Sequence, residues 1–416
     1  MQSTQTRGAF SSLGLDAALV RAVDSLGYEV PTPIQREAIP AILEGRDVIG
    51  TAQTGSGKTA AFLLPILQRL QKGAPGRTRA LVLTPTRELA AQIEVALHGL
   101  AKGTRIRGKA VYGGVGMAPQ EHALRTGVDV VVATPGRLLD HMSRRNVDFR
   151  GLEVLVLDEA DRMLDMGFLP DVRRIVDALP RDRQTLLFSA TMPPEIEQLS
   201  RTIMRNPVRI SVSPPHRPPA AIRHEVYPVP QHLKTNLLVR LLGREDMMSV
   251  LVFVRTKRRA DRVARQVDQA GFDVGRIHGD RSQSQRETAL AGFRSGRHQI
   301  LIATDVAARG IDVEGITHVV NYDVPPVPTD YVHRVGRTAR MDAQGEAITF
   351  VTPEDEADLR GIEKALGRTI PRVTLPDFDY RAPPPPKVHR PAGGGPRGPA
   401  RGPRGRDRRP YRRSYR

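Results

Sequence analysis

The sequence predicts an α/β protein made of two tandem domains, each a parallel sheet with helices on both faces, plus a disordered basic C-terminal tail. Three observations carry this. Short β-branched apolar runs alternate with helical patterns along two stretches of chain. A proline cluster separates those stretches. The last 36 residues abandon both patterns. Strands apolar on both faces belong in parallel sheets covered by helices, because an antiparallel sheet with one wet face would alternate.

In the first stretch the runs are ALVLTPT (80–86), DVVVATP (129–135), VLVLDEA (154–160) and TLLFSAT (185–191). In the second they are VLVFVRT (250–256), ILIATDV (300–306), THVVNYD (317–323) and AITFVT (347–352). Each ends in a polar, Gly-rich or charged cluster. In open α/β sheets the ligand crevice lies at those C-terminal strand ends, so two similar domains facing one cleft are expected. The segment SPPHRPPAAIR holds four prolines in eleven residues and cannot continue a helix or a central strand. The division is therefore 1–212, a linker at 213–223, 224–380, and a tail at 381–416.

The 416 residues carry a net charge of +18, with 39% apolar residues, no Cys and no Trp. That apolar share can bury a sizeable core, and the length suits two or three domains. The lack of Cys excludes disulfide staples, thiolate catalysis and Cys-ligated metal, and fits a reducing compartment. The N-terminus, MQSTQTRGAF, lacks an apolar signal region, and no run nears the roughly 18 apolar residues of a membrane span. A cytoplasmic protein is expected. The tail holds twelve basic residues and one acid, Asp407, for +11, leaving +7 for the body. Rich in Pro and Gly, it cannot bury enough apolar surface to fold. It reads as a sequence-independent phosphate binder in which Tyr411 and Tyr415 stack on bases, or as a solvated solubility tail.

The segment Ala52-Gln53-Thr54-Gly55-Ser56-Gly57-Lys58-Thr59 follows a short strand and opens a helix, the context of a phosphate-binding loop. Gly55 and Gly57 let backbone N–H groups approach phosphates, flanked by Thr54 and Ser56. Lys58 neutralises the β- and γ-phosphates, and the Thr59 hydroxyl suits Mg²⁺. Ala52 departs from the general pattern, which has Gly there. About 100 residues on, Asp158-Glu159-Ala160-Asp161 follows an apolar run. Adjacent carboxylates at a strand end suit Mg²⁺ binding by Asp158 and orientation or deprotonation of the attacking water by Glu159.

With DEAD at 158–161 stand AQTGSGKT, PTREL (85–89), TPGR (134–137), SAT (189–191), VFVRT (252–256), HGDRSQSQRE (278–287), ATDVAARGID (303–312) and HRVGRTAR (333–340). Gly27-Tyr28 and Pro31-Thr32-Pro33-Ile34-Gln35 precede them. In this order, over about residues 9 to 375, the chain resembles the DEAD-box ATP-dependent RNA helicases of superfamily 2. The phrase DEADRMLDMGF looks closest to their bacterial RhlE-type branch.

The resemblance implies two RecA-like domains, ATP and Mg²⁺ as cofactors, and RNA-stimulated ATP hydrolysis that unwinds short duplexes or remodels RNA–protein complexes. It implies that Gln35 reads adenine with its carboxamide and that Phe10 or Tyr28 stacks on the base. Asp312 resembles the ribose contact. Arg337 and Arg340 resemble arginine fingers, His333 links their motif to the DEAD and SAT loops, and Ser189 and Thr191 couple nucleotide state to domain geometry. RNA contacts are implied for Pro85, Thr86, Arg87, Gly114, Thr134, Gly136 and Arg137, and for Gly279, Gln283, Arg286 and Thr304. Such backbone contacts carry no base sequence, and the 2′-OH distinguishes RNA from DNA. Ala339 stands where many relatives have Gly, and Arg255 where a polar residue is common. A monomer is expected, with ribosome-assembly or RNA-decay proteins as candidate partners. The same residues would also serve an ATP-gated RNA clamp or assembly platform, or a DNA-directed translocase.

Overall fold

The computed structural model describes residues 9–53, 55–73, 76–212, 222–305, 313, 315–339 and 344–384. Seven strands form the first sheet: β1 (Val48–Thr51), β2 (Ala80–Leu83), β3 (Gly108–Val111), β4 (Val130–Ala133), β5 (Val154–Asp158), β6 (Gln184–Ser189) and β7 (Val208–Ser211). Six form the second: β8 (Ile222–Pro228), β9 (Val250–Phe253), β10 (Val274–Ile277), β11 (Ile300–Ala303), β12 (His318–Asn321) and β13 (Gly345–Val351).

The first sheet runs β3-β4-β2-β5-β6-β1-β7 and the second β10-β11-β9-β12-β13-β8. Counted from the first strand of each, both have the order 3-4-2-5-6-1, and β7 adds an edge to the first. Every pairing in both sheets is parallel. The two lobes are thus α/β layers of one topology, as the alternating runs predict.

Strand side chains alternate between faces, and in the first sheet both faces are dry. Val82, Val132 and Val156 pack with Phe62, Leu63 and Leu67 of the helix Lys58–Leu70. Their neighbours Leu81, Val131 and Leu155 pack with Leu138, Val172 and Ile175 on the other face. This is why the runs carry no polar alternation.

The lobes also share a local device. Thr86, after β2, accepts Leu89 N at 3.2 Å and caps the helix Arg87–Leu100. Thr256, after β9, accepts Arg259 N at 3.2 Å and caps the helix Lys257–Gln269. A Thr in extended backbone satisfies one of the orphan N–H groups at each helix start, so chain leaving these strands turns sharply over the sheet end.

The open edge of β8 is covered by the chain's return: Val226 N donates to Pro371 O at 2.9 Å, and Val373 N to Val226 O at 2.8 Å. Ile222 and Arg223, assigned to the linker by sequence, already belong to β8, where Ile222 pairs with Gly345. The prolines end at 219, so nothing opposes strand pairing there. Residues 213–221 of the linker lie outside the described residues, as do residues 385–416 of the tail. The compact unit that holds both sheets ends at Tyr380. Among the described residues no helix is long and apolar enough to cross a membrane.

Candidate active site and nucleic-acid interface

β1 and β5 flank β6 in the sheet, so the loops that leave all three meet at one end. The phosphate-binding loop enters its helix through Gly57, with φ +90°. A Cβ there would lie 2.5 Å from Gln35 Nε2, so only glycine fits. Lys58 is buried, and its Nζ donates to Ala52 O at 2.7 Å. Ser56 Oγ is buried without a hydrogen-bond partner among the described residues. An oxyanion in this loop would give the lysine and the hydroxyl better partners than they have. Gly55 is exposed, Thr59 half-buried, and Thr54 lies outside the described residues.

Gln35 is 4% exposed. Its Oε1 accepts Thr32 N at 2.9 Å, and its Nε2 donates to Gly57 O at 3.1 Å. It ties the start of the helix Pro33–Leu43 to the phosphate loop, and one amide hydrogen and one oxygen lone pair remain for a ligand. Of the two aromatics, Phe10 is 2% exposed and belongs to the hydrophobic core, whereas Tyr28 is 39% exposed.

Asp158 ends β5 fully buried, and its Oδ1 accepts Glu159 N at 3.0 Å. Burial pushes its carboxyl up to about 7 against the pull of Lys58, with Glu159 adding to the rise. A divalent cation would reverse this. The oxygen donors of Asp158 and Thr59 suit Mg²⁺, which favours carboxylate, hydroxyl and phosphate oxygens. Glu159 has φ 54° and ψ 50°, a conformation that costs a non-glycine residue about 1–2 kcal/mol. Its Oε2 takes a 2.9 Å ion pair from Arg162 Nη1, with both side chains at most 5% exposed. The strained turn aims the Glu159 carboxylate and Arg162 holds it.

Sequence reasoning did not single out Asp161, yet it is the hub of the cleft. Its N–H donates to Ser189 Oγ at 3.0 Å, and its Oδ2 accepts Thr191 N and Thr191 Oγ1, each at 2.9 Å. Burial alone would raise its carboxyl, but Lys58, His333 of the second lobe and Arg162 hold it below the usual carboxylate range. The structure thus brings Lys58, Asp161, Ser189, Thr191 and His333 together. The last letter of DEAD was available as a signal; its partners, 28 and 30 residues on, were not.

Arg337 is 3% exposed, four residues after His333. Asp312 and Arg340 lie outside the described residues. Arg334, also unpredicted, is buried: its Nε and Nη2 grip Asp305 at 2.5 and 2.7 Å, its Nη1 donates to Asn321 Oδ1 at 3.1 Å, and its guanidinium lies 5.1 Å from the Phe253 ring. It anchors the chain leaving β11, beside the half-buried Thr304.

Ala339 has φ 55° and is 9% exposed. A left-handed alanine costs about 1–2 kcal/mol, while glycine would forfeit about 0.8 kcal/mol of methyl burial and a similar sum in chain entropy. These cancel. Ala339→Gly should therefore change unfolding free energy by less than about 1 kcal/mol, whereas Ala339→Val, β-branched at positive φ, should cost about 2 kcal/mol or more. Urea unfolding of the two variants checks this. The departure from the family's Gly is tolerable for this reason.

A second surface lies where β2, β3 and β4 end. Pro85, Thr86 and Arg87 follow β2, Gly114 follows β3, and Thr134, Gly136 and Arg137 follow β4. The Arg87 guanidinium lies on Gly114, where a Cβ would come within 1.9 Å of Nη1. Arg137 donates to Val115 O at 3.2 and 3.3 Å. Gly136 has open space around it, as does Gly279 in the second lobe. Small residues and oriented guanidinium groups form a strip on which a phosphodiester backbone can lie closely.

Gln283 and Arg286 have protein partners. Arg286 Nη2 forms a 2.8 Å ion pair with Glu88 of the first lobe, at 11% and 4% side-chain exposure. Gln283 Nε2 lies 3.5 Å from Glu88 Oε1 and 3.1 Å from Glu287 Oε1. A buried pair across the lobes ties the start of the helix Arg87–Leu100 to that of the helix Gln283–Arg294, a role that sequence spacing could not show.

Two family models match: DEAD/DEAH box helicase over residues 32–199, and helicase conserved C-terminal domain over residues 233–342. ATP-dependent RNA helicase CshA of Listeria monocytogenes is 43% identical over 370 residues, 89% of this chain and 71% of that protein. DEAD-box ATP-dependent RNA helicase CshA of Bacillus subtilis is 41% identical over 370 residues, 89% and 75%. Among solved structures, S. cerevisiae Dbp5 bound to RNA and ADP BeF3 has a TM-score of 0.80 at 32% identity, covering 88% of this chain and 95% of that one. DEAD-box helicase Mss116 bound to ssRNA and UDP-BeF has 0.79 at 28%, covering 86% and 78%. A Dbp5 variant with Nup159, a Gle1 variant, IP6 and ADP has 0.62 at 31% identity. With both family halves in order around one cleft, and relatives matched along 89% of its length, this chain belongs to the DEAD-box helicase family.

Proposed function

We propose that this protein is an ATP-dependent RNA helicase that couples RNA-stimulated ATP hydrolysis to local opening of short duplexes or remodelling of RNA–protein complexes. The observation that carries the reading is the meeting of Lys58, Asp161 and His333, groups from both lobes, at one buried cleft. Hydrolysis there depends on how the lobes sit, and RNA lying across both lobes controls that.

In this reading Thr54, Gly55, Ser56, Gly57 and Lys58 hold the phosphates, and Thr59 and Asp158 hold Mg²⁺. The metal neutralises charge on the phosphoryl group. Glu159 orients the attacking water and takes its proton, Arg337 and Arg340 stabilise charge on the γ-phosphate, and His333 reports closure to Asp161. Gln35 reads adenine beside Phe10 or Tyr28, and Asp312 meets the ribose. Ser189 and Thr191 pass the nucleotide state to the lobes. RNA lies on Pro85, Thr86, Arg87, Gly114, Thr134, Gly136, Arg137, Gly279 and Thr304, with Gln283 and Arg286 beneath it. The domains are 1–212 and 224–380, joined by the linker 213–223, whose last two residues pair in β8, with 381–416 as a tether for RNA. The RhlE-type reading rests on the phrase DEADRMLDMGF and the look of the overall body, while the relatives reported above are CshA proteins; what they establish is the family, not a branch of it.

The test is ATP hydrolysis without nucleic acid, with single-stranded RNA and with matched DNA, for the full chain and for residues 1–380. Strong stimulation by RNA, retained in the truncation, is expected. The truncation should also bind RNA more weakly with a flatter salt dependence, since the +11 tail releases fewer counterions when removed. Equal stimulation by DNA would replace this reading with the translocase, and ATP-dependent RNA retention without strand release with the clamp.

A further inference from the structure

A third group of titratable side chains meets at the end of the second sheet opposite the ATP cleft. His318 opens β12 and Glu346 lies near the start of β13; the two are register partners in a parallel pair, so the sheet directs both side chains to one face. Asp246 comes from the turn before β9. Ligand atoms of the three residues lie within 4.8 Å of one another. His318 Nε2 is 3.5 Å from Glu346 Oε2 and 3.9 Å from Asp246 Oδ2.

The imidazole is oriented from behind. Thr317 Oγ1 accepts Ser249 N at 3.1 Å and donates its single proton to Ser249 O at 3.0 Å. Its remaining lone pair takes the Nδ1–H of His318 at 2.9 Å. Nε2 lies on a residue 4% exposed, has no hydrogen-bond partner among the described residues, and faces two carboxylates. Glu346 Oε1 is also buried and without a partner. Two carboxylates and an imidazole nitrogen gathered this closely, with His318 and Glu346 buried, favour a cation among them. Arg244 supplies part of it: its Nη2 is 2.6 Å from Asp246 Oδ2 and 3.5 Å from Glu346 Oε2, and its Nε donates to Asp246 Oδ1 at 3.1 Å. Its guanidinium is turned mainly to Asp246, which leaves Glu346 and the imidazole Nε2 facing each other at 3.5 Å.

We propose that Asp246, His318 and Glu346 form a divalent transition-metal site that takes Zn²⁺ or a similar ion through one imidazole nitrogen and two carboxylate oxygens, Arg244 withdrawing as the ion enters. Donors around such an ion lie about 3.3 Å apart, so the pair across the strands is nearly in place and Asp246 moves inward. Its side chain is 55% exposed and that of Arg244 30%, so the ion has a route from solvent, and its entry requires the two-point Arg244–Asp246 pair to open. Mixed imidazole and carboxylate donors select a borderline transition ion over Mg²⁺, and the Nδ1–H···Oγ1 bond is the outer support that metal-binding histidines use. A bound ion would pin the turn before β9 to two strand starts and stiffen the second lobe without touching the nucleotide.

The test is titration of the full chain with Zn²⁺ by calorimetry, in excess Mg²⁺ and without nucleotide, with thermal unfolding as a second readout. One equivalent should bind. Binding should weaken by about tenfold or more in His318→Gln and in Asp246→Asn, and tighten in Arg244→Ala. Zn²⁺ should raise the melting temperature of the unaltered chain and not of His318→Gln. Absence of one-to-one binding, or equal affinity in the unaltered chain and Asp246→Asn, would overturn the site and leave a proton on Nε2 as the cation of the cluster. Asp246 is exposed, so that variant and Arg244→Ala decide the matter even if His318→Gln does not fold.

Discussion

Glu159→Gln should lower RNA-stimulated ATP turnover by about 10²–10⁴-fold, the span of a positioned general base, while ATP binding is retained. Glutamine keeps the shape of the side chain and can still accept from Arg162, so the buried contact at 2.9 Å survives. What is lost is the capacity to take a proton from water. The structure gives reasons to expect the high end of that span. The carboxylate is 4% exposed, it is held by a buried guanidinium, and its backbone is kept at φ 54°. Strain of that kind persists only where the surroundings enforce it. Steady-state ATP hydrolysis with saturating RNA, beside nucleotide binding by equilibrium fluorescence, measures both halves. Turnover within a few-fold of the unaltered chain would remove Glu159 from the chemistry.

Arg286→Ala should cut RNA-stimulated turnover by about 10²-fold or more. The reason is the partner left behind. Glu88, at 4% side-chain exposure, would be buried without its cation, and breaking one side of a buried pair costs about 3–5 kcal/mol. Because the two residues sit in different lobes, that cost falls on the closed arrangement and not on either lobe alone. A double-mutant cycle separates this from a plain RNA contact. With a strut, Glu88→Gln is itself impaired and the double variant is no worse than Arg286→Ala, a coupling of about 0.5–3 kcal/mol. If Arg286 only touches RNA, Glu88→Gln is near normal and the effects add.

Much of the fold was legible because buried parallel strands leave a contiguous mark. Four or five apolar residues in a row read directly as β2, β4, β5 and β9. The phosphate loop was legible for the same reason: strand, glycines, lysine and helix start are consecutive. The linker edge was misplaced by two residues, since Ile222 and Arg223 take their state from β13, more than 120 residues on.

The site divides along the same line. Sequence by itself determined the fold class and the family and singled out Lys58, Asp158 and Glu159 as candidates, because each reading depends on neighbours along the chain. Only the tertiary structure decided that Asp161 gathers Ser189, Thr191 and His333, that Arg334 grips Asp305, that Arg286 answers to Glu88 198 positions away, and that Asp246, His318 and Glu346 share a corner. Strand order and register set those meetings. A charged side chain in the sequence carries no mark of its partner; only burial, which makes an uncompensated charge costly, forces the partners together.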